Sequence, residues 1–271
     1  MSDFTYLSFG AGVQSTAVLV MSNLGLRGCP RADVAIFADT GDEPQWVYEH
    51  LKAMQEWSEI PVEVVSTGCL SDDVRARQIG SISRFACIPV FTAAARGDGK
   101  NAILRRQCTR EYKIEPIEKR VRALLGYKPR QRIKESVECC IGISLDEVTR
   151  IKPSRTRWIT NRWPLVDAGM RRHDCQRIIE EQGLPQPRKS SCVFCPYHSD
   201  AFWRDLKENH SGEFDKAVEF DVDIRSMSRS GMRQPVFLHR SLVPLDEVDL
   251  TDPHKDQVDM FANECEGYCG V

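Results

Sequence analysis

Cys192 and Cys195, in "SSCVFCPYHS", have the spacing that lets two thiolates approach one metal from a tight turn. By itself the pair fits zinc, an iron-sulfur centre, redox chemistry or two buried thiols. Pro196 follows the second cysteine, as proline follows cluster cysteines in some ferredoxins. His198 could replace a thiolate at zinc. A second stretch with chemical content is "LSFGAGVQST", Leu7 to Thr16, where glycines lie between an apolar run and a helical pattern. Glycine lets backbone approach a ligand closely, and a helix start offers unpaired N–H groups, so the simplest guest is a phosphate or sulfate. The stretch is not a Walker A loop, because no lysine follows the glycines.

These residues need a scaffold. Apolar runs at Thr5 to Phe9, Val34 to Phe37, Val62 to Val65 and Cys139 to Ile143 predict strands. Helical patterns lie between them: "VQSTAVLVMSNLG" stops at Gly25, and "EPQWVYEHLKAMQEW" carries proline in its first turn. Alternating strands and helices predict an α/β fold with a doubly wound, mainly parallel, Rossmann-like sheet, whose ligands sit beyond the strands' carboxyl ends. The expected organisation is an α/β nucleotide-binding region over residues 1–150 and a mostly helical, cysteine-bearing region over 151–271, packed as one unit. Helical spacing also marks "REYKIEPIEKRVRALLG", "RRHDCQRIIEEQG" and Tyr197 to Asn209. Between Ser71 and Gln107 the pattern weakens to a polar, glycine-bearing connection that suits either an active-site lid or a solvated loop.

Net charge is −2, which gives no overall attraction to nucleic acid or membrane. Charge is uneven, however: from Lys100 to Lys134 twelve cations face only Glu111, Glu115 and Glu118. Arg110 and Lys113, beside Cys108, are expected to contact an anion, whereas Lys119 onward reads as a solvated helix face. The start of the chain has no basic leader before an apolar run, and no apolar stretch reaches spanning length, so a cytoplasmic setting without a membrane partner is expected. There, eleven cysteines argue for buried, reactive or metal-binding thiols over a disulfide framework. Cys139 and Cys140 fall in a strand and suit a core; Cys29, Cys69 and Cys87 receive no role.

Taken in order, "SFGAGVQST", "ADTGDEP", "QCTREYKIEPI", "GISLDEVTR" and "KSSCVFCPYHS" resemble the PP-loop superfamily. Within it the likeness is to the phosphoadenosine phosphosulfate (PAPS) reductase branch that also contains DNA phosphorothioation sulfur-transfer proteins. The resemblance implies an adenine-nucleotide site, with Ser8, Gly10, Gly12, Ser15 and Thr16 around the phosphate or sulfate and Asp39, Thr40 and Gly41 near the nucleoside. Asp146 and Arg150 would lie close by, with Asp146 or Glu147 holding Mg²⁺ or orienting substrate, or with Asp146 capping a helix. Gln14 departs from the acidic residue usual in ATP-cleaving members, and a neutral amide is a poorer ligand for a hard cation.

For the thiols, the resemblance implies a [4Fe-4S] cluster on Cys108, Cys192 and Cys195, with Cys175, Cys140 or a non-protein group as the fourth ligand and zinc as the alternative metal. PAPS reductases also carry a nucleophilic cysteine near the C-terminus, a role that Cys265 or Cys269 in "ECEGYCGV" could take, with metal ligation or no function as alternatives. Three functions follow. One is ATP-dependent sulfur transfer to a nucleic acid or small molecule, with sulfur from a cluster or a persulfide and a cysteine desulfurase as supplier. Another is reduction of PAPS or adenosine phosphosulfate with a thiol reductant, and the last is a non-catalytic, metal-stabilised nucleotide- or nucleic-acid-binding module.

Overall fold

The structure, a computed structural model, describes residues 3–78, 88–93, 101–225 and 234–251. Its centre is a five-stranded parallel sheet built from β1 (Phe4–Ser8), β2 (Val34–Asp39), β3 (Val62–Ser66), β6 (Val137–Ile141) and β7 (Ile159–Arg162), in the order β3-β2-β1-β6-β7. The first connection from β1 leads one way across the sheet, while β6 pairs on its other side. The carboxyl end of β1 is therefore a topological switch point, where a crevice opens between diverging loops.

Alternation along the strands divides the core. Leu7, Phe37 and Cys140 face α1 (Val13–Leu24) and α2 (Gln45–Trp57), whereas Tyr6, Ile36, Cys139 and Ile141 face α4 (Glu115–Leu124). α1 stops where Gly25 turns left-handed at φ 64°, a conformation without penalty for glycine. α6 (Arg172–Glu181) packs on α1, so a strand and a helix from beyond residue 150 complete the sheet and its cover.

Another core, under α7 (Asp200–Asn209) and α8 (Ser211–Arg225), gathers Trp203, Leu206, Phe220, Ile224 and Leu238. It is closed by an antiparallel sheet of β4 (Phe91–Ala93), β5 (Asn101–Ile103) and β8 (Val236–Phe237), in the order β5-β4-β8. The pieces of the expected lid that are described are therefore α3 (Leu70–Gln78) and two short paired strands. Among the described residues no helix is long and apolar enough to cross a membrane.

Candidate functional site

The glycine turn occupies the switch point. Ser8 ends β1, and the chain passes through Ala11, at φ 56°, before α1 begins. A left-handed residue with a Cβ is uncommon and holds only where surroundings enforce it. The Gly12 N–H donates to the Ser15 hydroxyl at 3.2 Å, and the Thr16 N–H to the Gly12 carbonyl at 2.9 Å. Gly142, just past β6, lies so close that a Cβ there would sit 2.6 Å from the Ser15 nitrogen. The buried Thr16 hydroxyl shares a 2.9 Å hydrogen bond with His50 Nε2, a partner that the sequence reading did not offer. Burial pushes His50 down to about 4, so the ring is neutral there.

At the end of β6, where Asp146 and Glu147 lie, the side chains form a buried network. The Gln14 amide donates to Glu147 Oε2 at 3.3 Å and accepts from Arg172 at 3.0 Å, while Arg150 pairs with Glu147 Oε1 at 2.7 Å. Arg150 thus lies beside the turn as expected, bound to a carboxylate. Asp146 accepts the Arg172 N–H at 2.6 Å and so caps α6, matching its helix-capping alternative on a helix further along the chain.

At the end of β2, Asp39 accepts from the Gly41 N–H at 2.8 Å and the Tyr48 hydroxyl at 2.9 Å, which braces the loop. Gly41 is left-handed at φ 77° and so close to Cys69 that a Cβ would sit 3.0 Å from the Cys69 Cα. Burial and the Asp39 contact push the Tyr48 phenol upward.

The Cys192–Cys195 turn is sewn onto both loops. Cys195 N–H donates to the Cys192 carbonyl at 3.0 Å, closing the turn, and Val193 N–H donates to the Asp42 carbonyl at 2.8 Å. Ser190 donates its hydroxyl to the Gly10 carbonyl, and Thr40 Oγ1 lies 3.2 Å from Cys192 Sγ. Cys108, Cys192 and Cys195 line one small cavity with Thr40, Arg106 and Lys113. Lys113 Nζ is 3.2 Å from Glu43 Oε1, with side chains 15% and 0% exposed. Burial, then the Glu43 charge, raise the Cys192 thiol, and Lys113 opposes them.

Four side chains are engaged elsewhere than in the ligand or anion contacts offered for them. Cys175 belongs to the core between α1 and α6, where burial lifts its thiol to about 12, so it does not join the other three. Cys140 is sealed in the same core, as its place in a strand predicts, which removes it as the alternative fourth ligand. Arg110 turns outward, 73% exposed and 2.8 Å from Glu115, into a groove separate from the thiols. His198 points Nε2 at the Cys192 carbonyl, 2.9 Å away, which engages that nitrogen with backbone instead of a metal. Among the described residues, no three Cys, His, Asp or Glu side chains converge as a single-ion site. Cys87, Cys265 and Cys269 lie outside the described residues.

Sequence reasoning missed Ser190, Gly142 and Arg172. The first two lie within "KSSCVFCPYHS" and "GISLDEVTR", but they act through position alone, a hydroxyl reaching a carbonyl and a missing Cβ, which residue type does not reveal. No family model matches the chain, and no curated protein matches it. Among solved structures, the chain is similar to phosphoadenylyl-sulfate (PAPS) reductase from Candida auris in its phosphate complex, at 14% identity over 69% of this chain and 80% of that one, with a TM-score of 0.43.

Proposed function

We propose that this chain is an adenine-nucleotide-dependent sulfur-transfer enzyme of the PAPS reductase-like kind, on the side of its DNA phosphorothioation relatives. The observation that carries the reading is the joining of thiols to the glycine turn: Ser190 bonds Gly10, and Thr40 bonds Cys192. Sulfur chemistry and anion binding thereby share the carboxyl ends of β1 and β2.

Each group has a task. N–H groups at the start of α1, with the Ser8 hydroxyl, hold the phosphates, and the Ser15 hydroxyl braces the turn through Gly12. Lys113, fixed by Glu43, offsets negative charge that develops beside the thiols. In the ATP reaction an acceptor oxygen attacks the α-phosphorus and expels pyrophosphate; a sulfur nucleophile then forms its bond to the acceptor as AMP leaves with the oxygen. Three thiols around one cavity, with a lysine to balance their charge, suit a [4Fe-4S] cluster held by Cys108, Cys192 and Cys195. When bound, it would supply an open iron position able to carry sulfide; a cysteine desulfurase would deliver the sulfur as a persulfide, and a thiol reductant would release it as sulfide with formation of a disulfide.

A second reading, reduction of PAPS or adenosine phosphosulfate with a thiol reductant, is favoured by the Gln14 network. Gln14, Glu147 and Asp146 are all engaged by protein groups, which leaves the turn better suited to a sulfonucleotide than to a magnesium-bridged triphosphate. Incubating the anaerobic protein separately with Mg·ATP plus a sulfur donor and with PAPS plus a dithiol distinguishes them. Pyrophosphate release supports transfer and sulfite release supports reduction. Binding without turnover of either nucleotide would reject both in favour of a non-catalytic module.

A further inference from the structure

The basic segment that reads in sequence as a solvated helix face lines a groove in the structure. Two hollows of about 300 Å³ and about 290 Å³ meet at Glu115 and Glu118 along α4. Arg110, Lys152 and Arg155 line the first; Lys119, Arg122 and Arg130 line the second. Two separate stretches supply these cations. One is the run from Lys100 to Lys134, and the other is "RIKPSRTRWITNR", Arg150 to Arg162, which has five cations and no carboxylate. A chain of net charge −2 thus concentrates positive charge along one groove.

Six lining cations, Arg110, Lys119, Arg122, Arg130, Lys152 and Arg155, outnumber its two carboxylates. Glu115 is paired with Arg110, and burial raises the Glu118 carboxyl, which accepts the Thr156 hydroxyl at 2.6 Å. Two further features point to bases as well as phosphates. Arg122 lies 5.8 Å from the centre of the Trp158 ring and is anchored by the Gln131 carbonyl, which makes a flat cationic and aromatic platform. Asn161, 8% exposed, lines the first hollow; its Nδ2 is pinned to the Lys152 carbonyl at 3.0 Å, and its buried Oδ1 has no hydrogen-bond partner. A buried acceptor without a donor is costly unless a ligand N–H fills it, and an exocyclic base amine has that chemistry.

We propose that the groove along α4 docks a single-stranded polynucleotide, with phosphates on its cations, a base on the Arg122–Trp158 platform and a base edge on Asn161. An acidic peptide would satisfy the cations but leave the platform and the Asn161 acceptor unused. A duplex would keep its bases stacked and present no open face to the platform. The placement also fits the reaction, because the helical turn Thr109–Ile114 sends Lys113 to the thiol cavity and Arg110 to the groove. The docking stands on the groove's own residues; its use as the sulfur acceptor's path rests on the reading above.

The test is fluorescence anisotropy with a labelled mixed-sequence single-stranded oligonucleotide, its duplex and a polyglutamate peptide, over a salt series. Lys119, Arg130 and Arg155 are exposed, so K119E/R130E/R155E should melt as the native chain does. Single strand should bind more tightly than duplex or peptide. The triple variant should lose at least about tenfold in affinity, with the salt slope reduced by about two, at about 0.7 per lost phosphate contact. Asn161→Leu should weaken a base-containing strand yet leave binding of an abasic strand unchanged. Unchanged affinity in the triple variant, or equal binding of peptide and strand, would overturn the proposal. ATP and PAPS binding measured on the same variants keeps the outcomes separate: a failed nucleotide reading with intact strand binding leaves the groove standing, and the reverse removes it.

Discussion

Thr40 Oγ1 lies 3.2 Å from Cys192 Sγ, although 152 positions separate the two residues in the chain. The contact joins the end of β2 to the cysteine turn, and it sets which thiols can act together. Cys108 and Cys195 share that cavity, while Cys175 is buried in another core, on α6 where it packs against α1. Cys192→Ser should therefore abolish bound iron and sulfide in anaerobically purified protein. Cys175→Ala should retain both and lose about 1 kcal/mol of stability for the atom removed from a packed site. Elemental analysis of the two variants checks the assignment; loss of iron from folded Cys175→Ala would return Cys175 to the ligand set.

Gly142 is placed by what its side chain would strike. A Cβ would meet the Ser15 nitrogen at 2.6 Å and the Gln14 carbonyl carbon at 2.9 Å, both backbone atoms at the start of α1. Neither can turn aside as a flexible side chain would, so Gly142→Ala must displace the helix start from β6. The expected result is a destabilisation of about 1–3 kcal/mol, with nucleotide affinity lost in greater proportion than stability. Chemical denaturation and calorimetric nucleotide binding measure the two effects. A variant that binds nucleotide normally would show that the turn is not the anion site.

Much of this arrangement was legible in the sequence because parallel strands buried on both faces leave continuous apolar runs, and glycines mark their exits. β1, β2, β3 and β6 fall within a few residues of the expected runs, and Gly25 ends α1. β7 escaped notice because Thr160 and Arg162 alternate with Ile159 and Asn161 at the sheet's edge, so its four residues read as a basic loop. β4, β5 and β8 are two or three residues long, too short for a period to show. In the site, the family resemblance grouped Cys108, Cys192 and Cys195, which line one cavity, but it could not tell Cys175 from them. Burial in one core or another is decided by helix packing, which spacing does not encode. Spacing likewise did not mark His50 as the partner of Thr16, and it offered Asp146 both a ligand and a helix-capping role, of which the start of α6 takes the second.

Gln14 stands between Glu147 and Arg172, giving a proton to one and accepting one from the other. An acid at this position, Gln14→Glu, removes the donation and sets two carboxylates against each other in a buried site. Arg172 gains a closer ion pair, but that pair cannot relieve the contact with Glu147. The expected cost is about 1–3 kcal/mol near neutral pH, shrinking as the solution is acidified and one carboxyl of the pair takes up a proton. Urea unfolding at two pH values measures it. Full stability at neutral pH would mean that the network rearranges around Arg172, and with it the case against a magnesium-bridged triphosphate would weaken.

His50 gives a pH dependence whose sign follows from its burial. The ring is pushed from 6.5 to about 4 in the folded chain, and it faces the Thr16 hydroxyl at the base of the glycine turn. As pH falls through 6.5 the unfolded chain binds the proton first, so folding loses stability from there down to about 4 and no further below. A shift of this size corresponds to about 3 kcal/mol across the window. His50→Gln keeps a polar group for Thr16 without a titrating ring, so subtracting its stability curve from the native one isolates this contribution from the carboxyls. The difference should favour the native chain least at pH 4 and level off above pH 7. Parallel curves would mean that the histidine is solvated, and that Thr16 is free to turn its hydroxyl back into the anion site.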